Sequence, residues 1–183
     1  MIKSQVGQLI ETMVTKGGDS MEQYVLYLVL KEIAKELNSS FEYSFNDMDS
    51  NADNVCGIYI KGAEPSQYRT LSKGEYFNIV NRVQFLIQGG LDNDSLMNSL
   101  RLGSNLKEIL TRASNRYIIA PSKIGKDGDG QIVIATDGQT LDCLTVVLTK
   151  VDMMSDLVNI GKSEQGRPRY SINFRINYEL GGN

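Results

Sequence analysis

The run from Asn81 to Ser95, with Leu96 to Leu110 behind it, constrains this chain more than any other stretch. Val83, Phe85 and Ile87 alternate with Arg82, Gln84 and Gln88, so an extended backbone there has one apolar and one wet face, the period-2 signature of a half-buried strand. Gly89 and Gly90 end that strand, and Asn93, Asp94 and Ser95 offer side-chain oxygens as N-caps. Leu96, Leu100, Leu106 and Leu110 then recur at helical spacing. A strand feeding a helix through a short Gly-Gly turn makes an α+β module the organising unit, and by itself it names no function.

The 183 residues suit one domain, 1–183, able to bury about two-thirds of its unfolded surface in a single core. The longest apolar patch, Tyr24 to Leu30, falls short of the roughly 18 residues a membrane span requires, and Asp19 and Glu22 precede it where a secretory signal would be basic. A chain without membrane contact, made and kept in a cytoplasm, is expected. The net charge of −3 argues against a protein that grips nucleic acid by neutralising phosphates, though not against one that lets DNA pass. Cys56 and Cys143 lie in apolar segments and read as buried small hydrophobes. The absence of histidine removes the commonest general base and transition-metal ligand, and with them His-dependent triads and zinc hydrolases.

Along the chain, Val6, Leu9, Ile10 and Met13 predict a short amphipathic helix over 1–18, broken by Gly17-Gly18. Asp19 and Ser20, each followed three residues later by Glu22 or Gln23, supply capping boxes for a helix over 20–38. Its inward stripe is Val25, Leu28, Val29 and Ile33, widened by Leu26, Leu30 and Leu37. Phe41, Tyr43 and Phe45 alternate in a short strand before a loop rich in Ser, Asn and Asp, and 55–61 is strand again. Residues 62–74 read as a long loop, taken as a contact arm, before a strand over 76–88 and a helix over 94–113 with Gly103 on its packing stripe, where a neighbouring backbone can approach. The second half reads as a meander with strands at 116–120, 131–135, 144–151 and 170–179. Val146, Val147 and Leu148 suggest a strand covered on both faces, and the last strand sets Ile172, Phe174, Ile176 and Tyr178 against Ser171, Asn173, Arg175 and Asn177.

Fragments that invite a chemical name fail on spacing. Gly161-Lys162-Ser163 looks like the end of a phosphate-binding loop, but Asp156 stands where its first glycine belongs. Asp127 and Asp129 have calcium-loop spacing, yet Ile132 replaces the turn glycine; Asp47, Asp49 and Asp53 meet Ala52 at that position and read as a solvated acidic loop. Glu108 with Asp92 or Asp94 has no apolar pocket to separate the pKa values, so no catalytic residue, metal site or cofactor is expected. Tyr24, Tyr27, Phe41, Tyr43 and Phe45 lack interleaved basic residues for base stacking and suit a core or a subunit contact.

Four pieces, spread over about 20 to 178, carry a family likeness. They are the helix Glu22 to Asn38 followed by Asn51-Ala-Asp-Asn-Val-Cys-Gly-Ile-Tyr-Ile60; the strand Asn81-Arg-Val-Gln-Phe-Leu-Ile-Gln-Gly89 running into a helix; Pro121 to Lys126 with the strand pair beyond; and the ending Ile160-Gly-Lys-Ser-Glu-Gln-Gly-Arg-Pro-Arg-Tyr-Ser-Ile-Asn-Phe174. In this order the chain resembles the tail terminator, or tail-to-head joining, proteins of long-tailed phages, often labelled minor capsid proteins. Gln88 stands where that family more often has arginine, and 121–143 is longer.

The resemblance implies an α+β fold, a mostly antiparallel sheet flanked by two or three helices. It further implies a homo-oligomer, a hexameric ring that caps the tail-tube protein, meets the head-tail connector proteins and leaves a lumen through which DNA passes without specific binding. No catalysis and no cofactor follow from it, and the site of action is the virion tail or neck. Subunit contacts are then expected on the arms at 41–54, 62–75 and 121–130, with Phe41, Tyr43, Phe45, Tyr68, Arg69, Lys126, Asp127 and Asp129 as candidates. Asn173 and Arg175 on the last strand join them, with plain solvent surface as the equal alternative. The competing readings are a tail-tube subunit or head-tail adaptor, and a small cytoplasmic enzyme or nucleotide-binding protein.

Overall fold

The computed structural model describes residues 21–64, 77–112, 116–119, 124–126, 132–134 and 144–182. The expected helix over 1–18, most of the 62–75 arm and the tip of the 121–130 arm lie outside them.

Helix α1 (Met21–Leu37) starts with Glu22 in its first turn and ends with Lys35 in its last, charges that complement the helix dipole. Val25, Leu26, Val29, Leu30, Ile33 and Ala34 are buried, while Leu28 is only half-buried. The stripe is therefore centred on Leu26 and Leu30, rotated from the expected Val25–Leu28–Val29–Ile33 line, because the helix packs against a second helix as well as against strands. Strand β1 (Glu42–Phe45) runs parallel to β2 (Val55–Glu64), and β2 pairs antiparallel with β3 (Phe77–Gln88). β2 extends to Glu64, so the first residues of the predicted 62–74 loop are strand.

Helix α2 (Asn93–Thr111) follows β3 through the Gly-Gly turn as expected, but its cap is Asp92, one residue before the three proposed. The Asp92 carboxylate accepts from Ser95 N at 2.8 Å and from Ser95 Oγ at 2.6 Å. Leu102, Leu106 and Leu110 are fully buried, with Leu96 and Leu100 on the flank. Gly103 does sit at a close approach, though to a side chain: a Cβ there would lie 2.5 and 2.7 Å from the Leu157 methyls.

Beyond α2 come β4 (Arg116–Ile119), the hairpin strands β5 (Ile124–Lys126) and β6 (Ile132–Ile134), then β7 (Leu144–Lys162) and β8 (Pro168–Gly182). The main sheet has the order β1-β2-β3-β8-β7-β4, with β5-β6 as a separate two-stranded sheet. This corrects the meander, since β4 pairs with β7 and the hairpin between them leaves the main sheet. It also extends the strand expected to stop at Val151, for β7 runs to Lys162. Four register shifts against β8 break its side-chain alternation, so period 2 does not show in the sequence. Val146 and Leu148 are fully buried and Val147 only partly, so that run faces one core rather than two.

The fold is thus α+β, a mostly antiparallel sheet with both described helices on one face. α1 lies over β1 and β2, and α2 over β3, β8 and β7. Between helices and sheet lie Val83, Phe85 and Ile87 of β3 and Ile172, Phe174, Ile176 and Tyr178 of β8, all essentially without solvent exposure. Phe85 and Phe174 meet edge to face with centroids 5.9 Å apart. Two buried polar residues are satisfied together: the Tyr178 hydroxyl donates to Asn81 Oδ1 at 2.8 Å, and Asn81 Nδ2 donates to the Lys61 carbonyl at 3.2 Å. No helix among the described residues is long and apolar enough to cross a membrane.

Two predictions follow from the α2 geometry. Gly103→Ala should destabilise the protein by about 1–2 kcal/mol by overpacking Leu157, whereas in a Leu157→Ala background the same change should stabilise it by about 1 kcal/mol through helix propensity; a double-mutant cycle of denaturant midpoints reads both signs. Asp92→Ala should lower the thermal midpoint more than Asp92→Asn, which keeps an acceptor for Ser95 N. Hydrogen bonds from Ser95 hold the Asp92 carboxyl below its usual range. Its stabilisation is therefore complete above the unfolded carboxylate pKa and fades as pH falls through the folded one, and thermal melts of wild type and Asp92→Asn should converge on acidification.

Candidate interaction surface

The sheet face opposite the helices carries the side chains that alternate with the core. Along β2 and β3 these are Gly57, Tyr59 and Lys61, and Arg82, Gln84, Leu86 and Gln88; along β8 they are Arg169, Ser171, Asn173, Arg175 and Asn177. No described helix packs on this face, and its two ends are built differently.

At the first end the connection from β1 to β2 crosses over the sheet. Asn46 and Asn54, at φ +50° and +53°, turn the chain at either side of the crossing, a left-handed conformation that asparagine tolerates better than most residues. The loop lies directly on Gly57, where a Cβ would come within 2.7 Å of the Asp47 carbonyl oxygen. Gln88, fully buried beneath it, is the pin. Its Nε2 donates to the carbonyls of Ala52 at 2.7 Å and Ser50 at 3.1 Å, with that of Asp49 at 3.4 Å, while its Oε1 accepts from Arg169 Nε at 2.8 Å. A glutamine fits here because one group must both donate to the loop and accept from Arg169; an arginine offers only donors.

The carboxylates of this loop are spent locally. Asp47 Oδ1 accepts from Met48 N and Asp49 Oδ1 from Asn51 N, each at 2.8 Å, and Asp53 pairs with Arg167. Among the described residues no group of three acidic or cysteine side chains is arranged to hold a metal ion.

At the other end the face is open. Lys61, Arg82 and Arg175 stand opposite one another on β2, β3 and β8, and Asp152 of β7 continues the row. Beside them runs a shallow groove of about 340 Å³ lined by Lys61, Arg82, Gln84, Asn173, Ser155 and Met154 among others. Asn173 Nδ2 donates to Ser155 Oγ at 2.8 Å, and Gln84 Nε2 donates to Ser171 Oγ at 2.8 Å, which stiffens the floor.

The outer half of β7 continues this surface, with Ser155 opposite Asn173 and Val158 opposite Ser171. Among the described residues β4 pairs only with its first residues, 144–147, so the opposite edge of 148–162 has no described strand beside it. Met154, Val158 and Ile160 are 55%, 48% and 50% exposed there. Three apolar side chains this open on one strand are unusual for a surface that meets only water.

Of the sequence-predicted contact residues, Asn173 and Arg175 lie on the open face. Phe41, Tyr43 and Phe45 do not lie on a surface: all three are buried within the chain against α1, which corrects their assignment as contacts and leaves the core reading. The Tyr43 hydroxyl sits 2.8 Å from the carbonyls of both Ala34 and Asn38 and closes the C-terminal end of α1, while Tyr27 Oη donates to the Tyr43 carbonyl at 3.0 Å. Lys126 ends β5, and nothing of its side chain is described; Tyr68, Arg69, Asp127 and Asp129 lie outside the described residues. Sequence reasoning missed Lys61, Arg82, Gln84, Met154 and Ser155. The alternation showed Arg82 and Gln84 as outward, but only the cross-strand register brings them beside Asn173 and Arg175.

The remaining chemical fragments resolve structurally. Gly161-Lys162-Ser163 leads into a hairpin turn closed by Ser163 N to the Arg167 carbonyl at 2.8 Å, with a strand rather than a phosphate-binding helix after it. Glu108 pairs with Arg112 at 3.0 Å and is about 24 Å along α2 from the Asp92 cap, so no carboxylate pair forms there. Burial pushes the Cys56 thiol and the Tyr27, Tyr43 and Tyr178 phenols up, keeping all of them neutral, which is a packing effect. Cys143 lies outside the described residues.

Gln88→Ala should cost about 2 kcal/mol by stripping the donors from several loop carbonyls, and hydrogen exchange should show faster exchange across 46–54. Gln88→Arg should be no milder, since it sets a second guanidinium against Arg169. The chain matches no protein-family model and no curated protein sequence.

Proposed function

We propose that this chain is a structural virion protein of a long-tailed phage, forming a ring at the head-proximal end of the tail that ends tube polymerisation and joins the tail to the head connector. Its role is geometric rather than catalytic: one side complements the last ring of tail-tube protein, the other meets the connector, and DNA passes through the lumen. The α+β fold with a mostly antiparallel sheet backed by helices is the one the family resemblance implies. The observation that carries the reading is the outer half of β7, with Met154, Val158 and Ile160 exposed along an edge to which no described strand is hydrogen-bonded. The register shifts along that strand blunt it against open-ended strand pairing, so its contacts run through side chains, which suits a ring that closes on itself. A net charge of −3 suits a lumen that repels the phosphate backbone instead of trapping it.

Negative-stain electron microscopy with mass photometry, on the protein alone and mixed with its tail-tube protein, tests this. Hexameric rings at one end of tubes, limiting their growth, are expected. Long self-assembled tubes would favour a tube subunit, rings that bind connector but ignore tubes would favour an adaptor, and a monomer indifferent to both would overturn the reading. Val158→Glu with Ile160→Glu should abolish the ring while leaving the far-ultraviolet circular dichroism unchanged.

A further inference from the structure

We propose that the outer half of β7, residues 154–162, is a strap latched onto α2 that opens as a unit while the rest of the sheet stays folded. Its ladder with β8 is broken repeatedly. Three of the four register shifts between the two strands fall between Met153 and Gly161, and Met154, Asp156, Leu157 and Ile160 stand opposite no residue of β8. The Gly161 amide is spent within the strap, donating to Asn159 Oδ1 at 2.8 Å. β8 pairs with β3 on its other side without a shift, so it keeps its place when β7 leaves. The strap also buries little: every residue from Val151 to Lys162 is half-buried or exposed, whereas Leu144, Val146 and Leu148 in the inner half are fully buried. A segment with an interrupted ladder and few buried apolar contacts opens at a lower free energy than the core.

What holds the strap is α2. Leu157 is the knob: it packs against the hydrophobic core and seats on Gly103, where an added Cβ would lie 2.5 and 2.7 Å from its methyls. One helical turn on, Lys107 Nζ clamps Asp156 through both carboxylate oxygens, at 3.0 and 2.9 Å. Gly103 and Lys107 share one face of the helix, so knob and clamp meet a single stripe. In a regular strand the neighbours Asp156 and Leu157 would point to opposite sides. The register shift between Ser155 and Val158 lets both reach the helix, so the break in the ladder serves the latch. The ion pair is exposed and contributes little, which leaves the knob as the main hold. Met154, Val158 and Ile160 ride on this strap, so latching sets where they point. Exchange in the strap reads its opening whether or not a ring forms.

Hydrogen exchange on the full chain, read by mass spectrometry, tests the strap. Amides of 154–162 are expected to exchange together, and faster than those of β3 over 79–87. Leu157→Ala removes the knob and Gly103→Ala fills its seat; each should speed the strap about tenfold or more and leave 79–87 unchanged. Lys107→Ala should speed it about twofold. Gly103→Ala added to Leu157→Ala should give no further increase, because the two act on one contact. Strap amides that exchange only in step with 79–87 overturn the proposal. So do variants that leave the strap unmoved or that speed both segments alike. Should Gly103→Ala fail to fold, Leu157→Ala and Lys107→Ala decide, since both side chains are partly exposed and their truncation leaves the core intact.

Discussion

The pairing of β3 with β8 is the contact on which the rest of the molecule depends. It runs without a register shift from Phe77 opposite Leu180 to Gln88 opposite Arg169. Because side chains alternate, that single register sends Val83, Phe85, Ile172 and Phe174 to one face and Arg82, Gln84, Asn173 and Arg175 to the other. A slip by one residue would exchange the two sets and bury guanidinium groups and carboxamides in place of the two aromatic and two aliphatic side chains, a penalty of many kcal/mol in a domain whose whole stability is about 5–15 kcal/mol. The hydrogen bond between Tyr178 and Asn81 at the core adds to the same choice, since it forms in one register only.

Everything outward follows from that pair. β2 extends the sheet on one side and carries Gly57, whose missing side chain lets the 46–54 crossing lie flat. β7 extends it on the other side and stays paired with β8 through four register shifts, each of which increases local twist. Gln88 then joins the two regions, holding the crossing with its amide nitrogen and Arg169 with its amide oxygen. One neutral residue thus decides that the first end of the open face is a ridge and leaves the other end as a groove.

Much of this was legible in the residue pattern. Period-2 alternation located β3 and β8, capping residues and leucine spacing located both helices, and the fold class followed from their order. What stayed hidden has physical causes. β7 beyond Val151 was invisible because register shifts scramble the alternation a reader looks for. The stripe of α1 was rotated because periodicity tells which residues share a side of a helix, but not where the covering strands lie. Phe41, Tyr43 and Phe45 resembled a contact set because an aromatic strand looks the same in sequence whether a helix of its own chain or a neighbouring subunit covers it.

The sequence by itself determined the two described helices and the strands whose alternation is unbroken, with the apolar side of those strands, since these depend on side-chain spacing along one element. Tertiary structure alone decided which wet faces meet. The row from Lys61 through Arg82 to Arg175 joins residues remote along the chain, and the grip of Gln88 on a loop more than thirty residues earlier likewise exists only after the strands have chosen their neighbours. Local periodicity carries no information about register between strands, because that is set by the burial of the whole sheet against its helices.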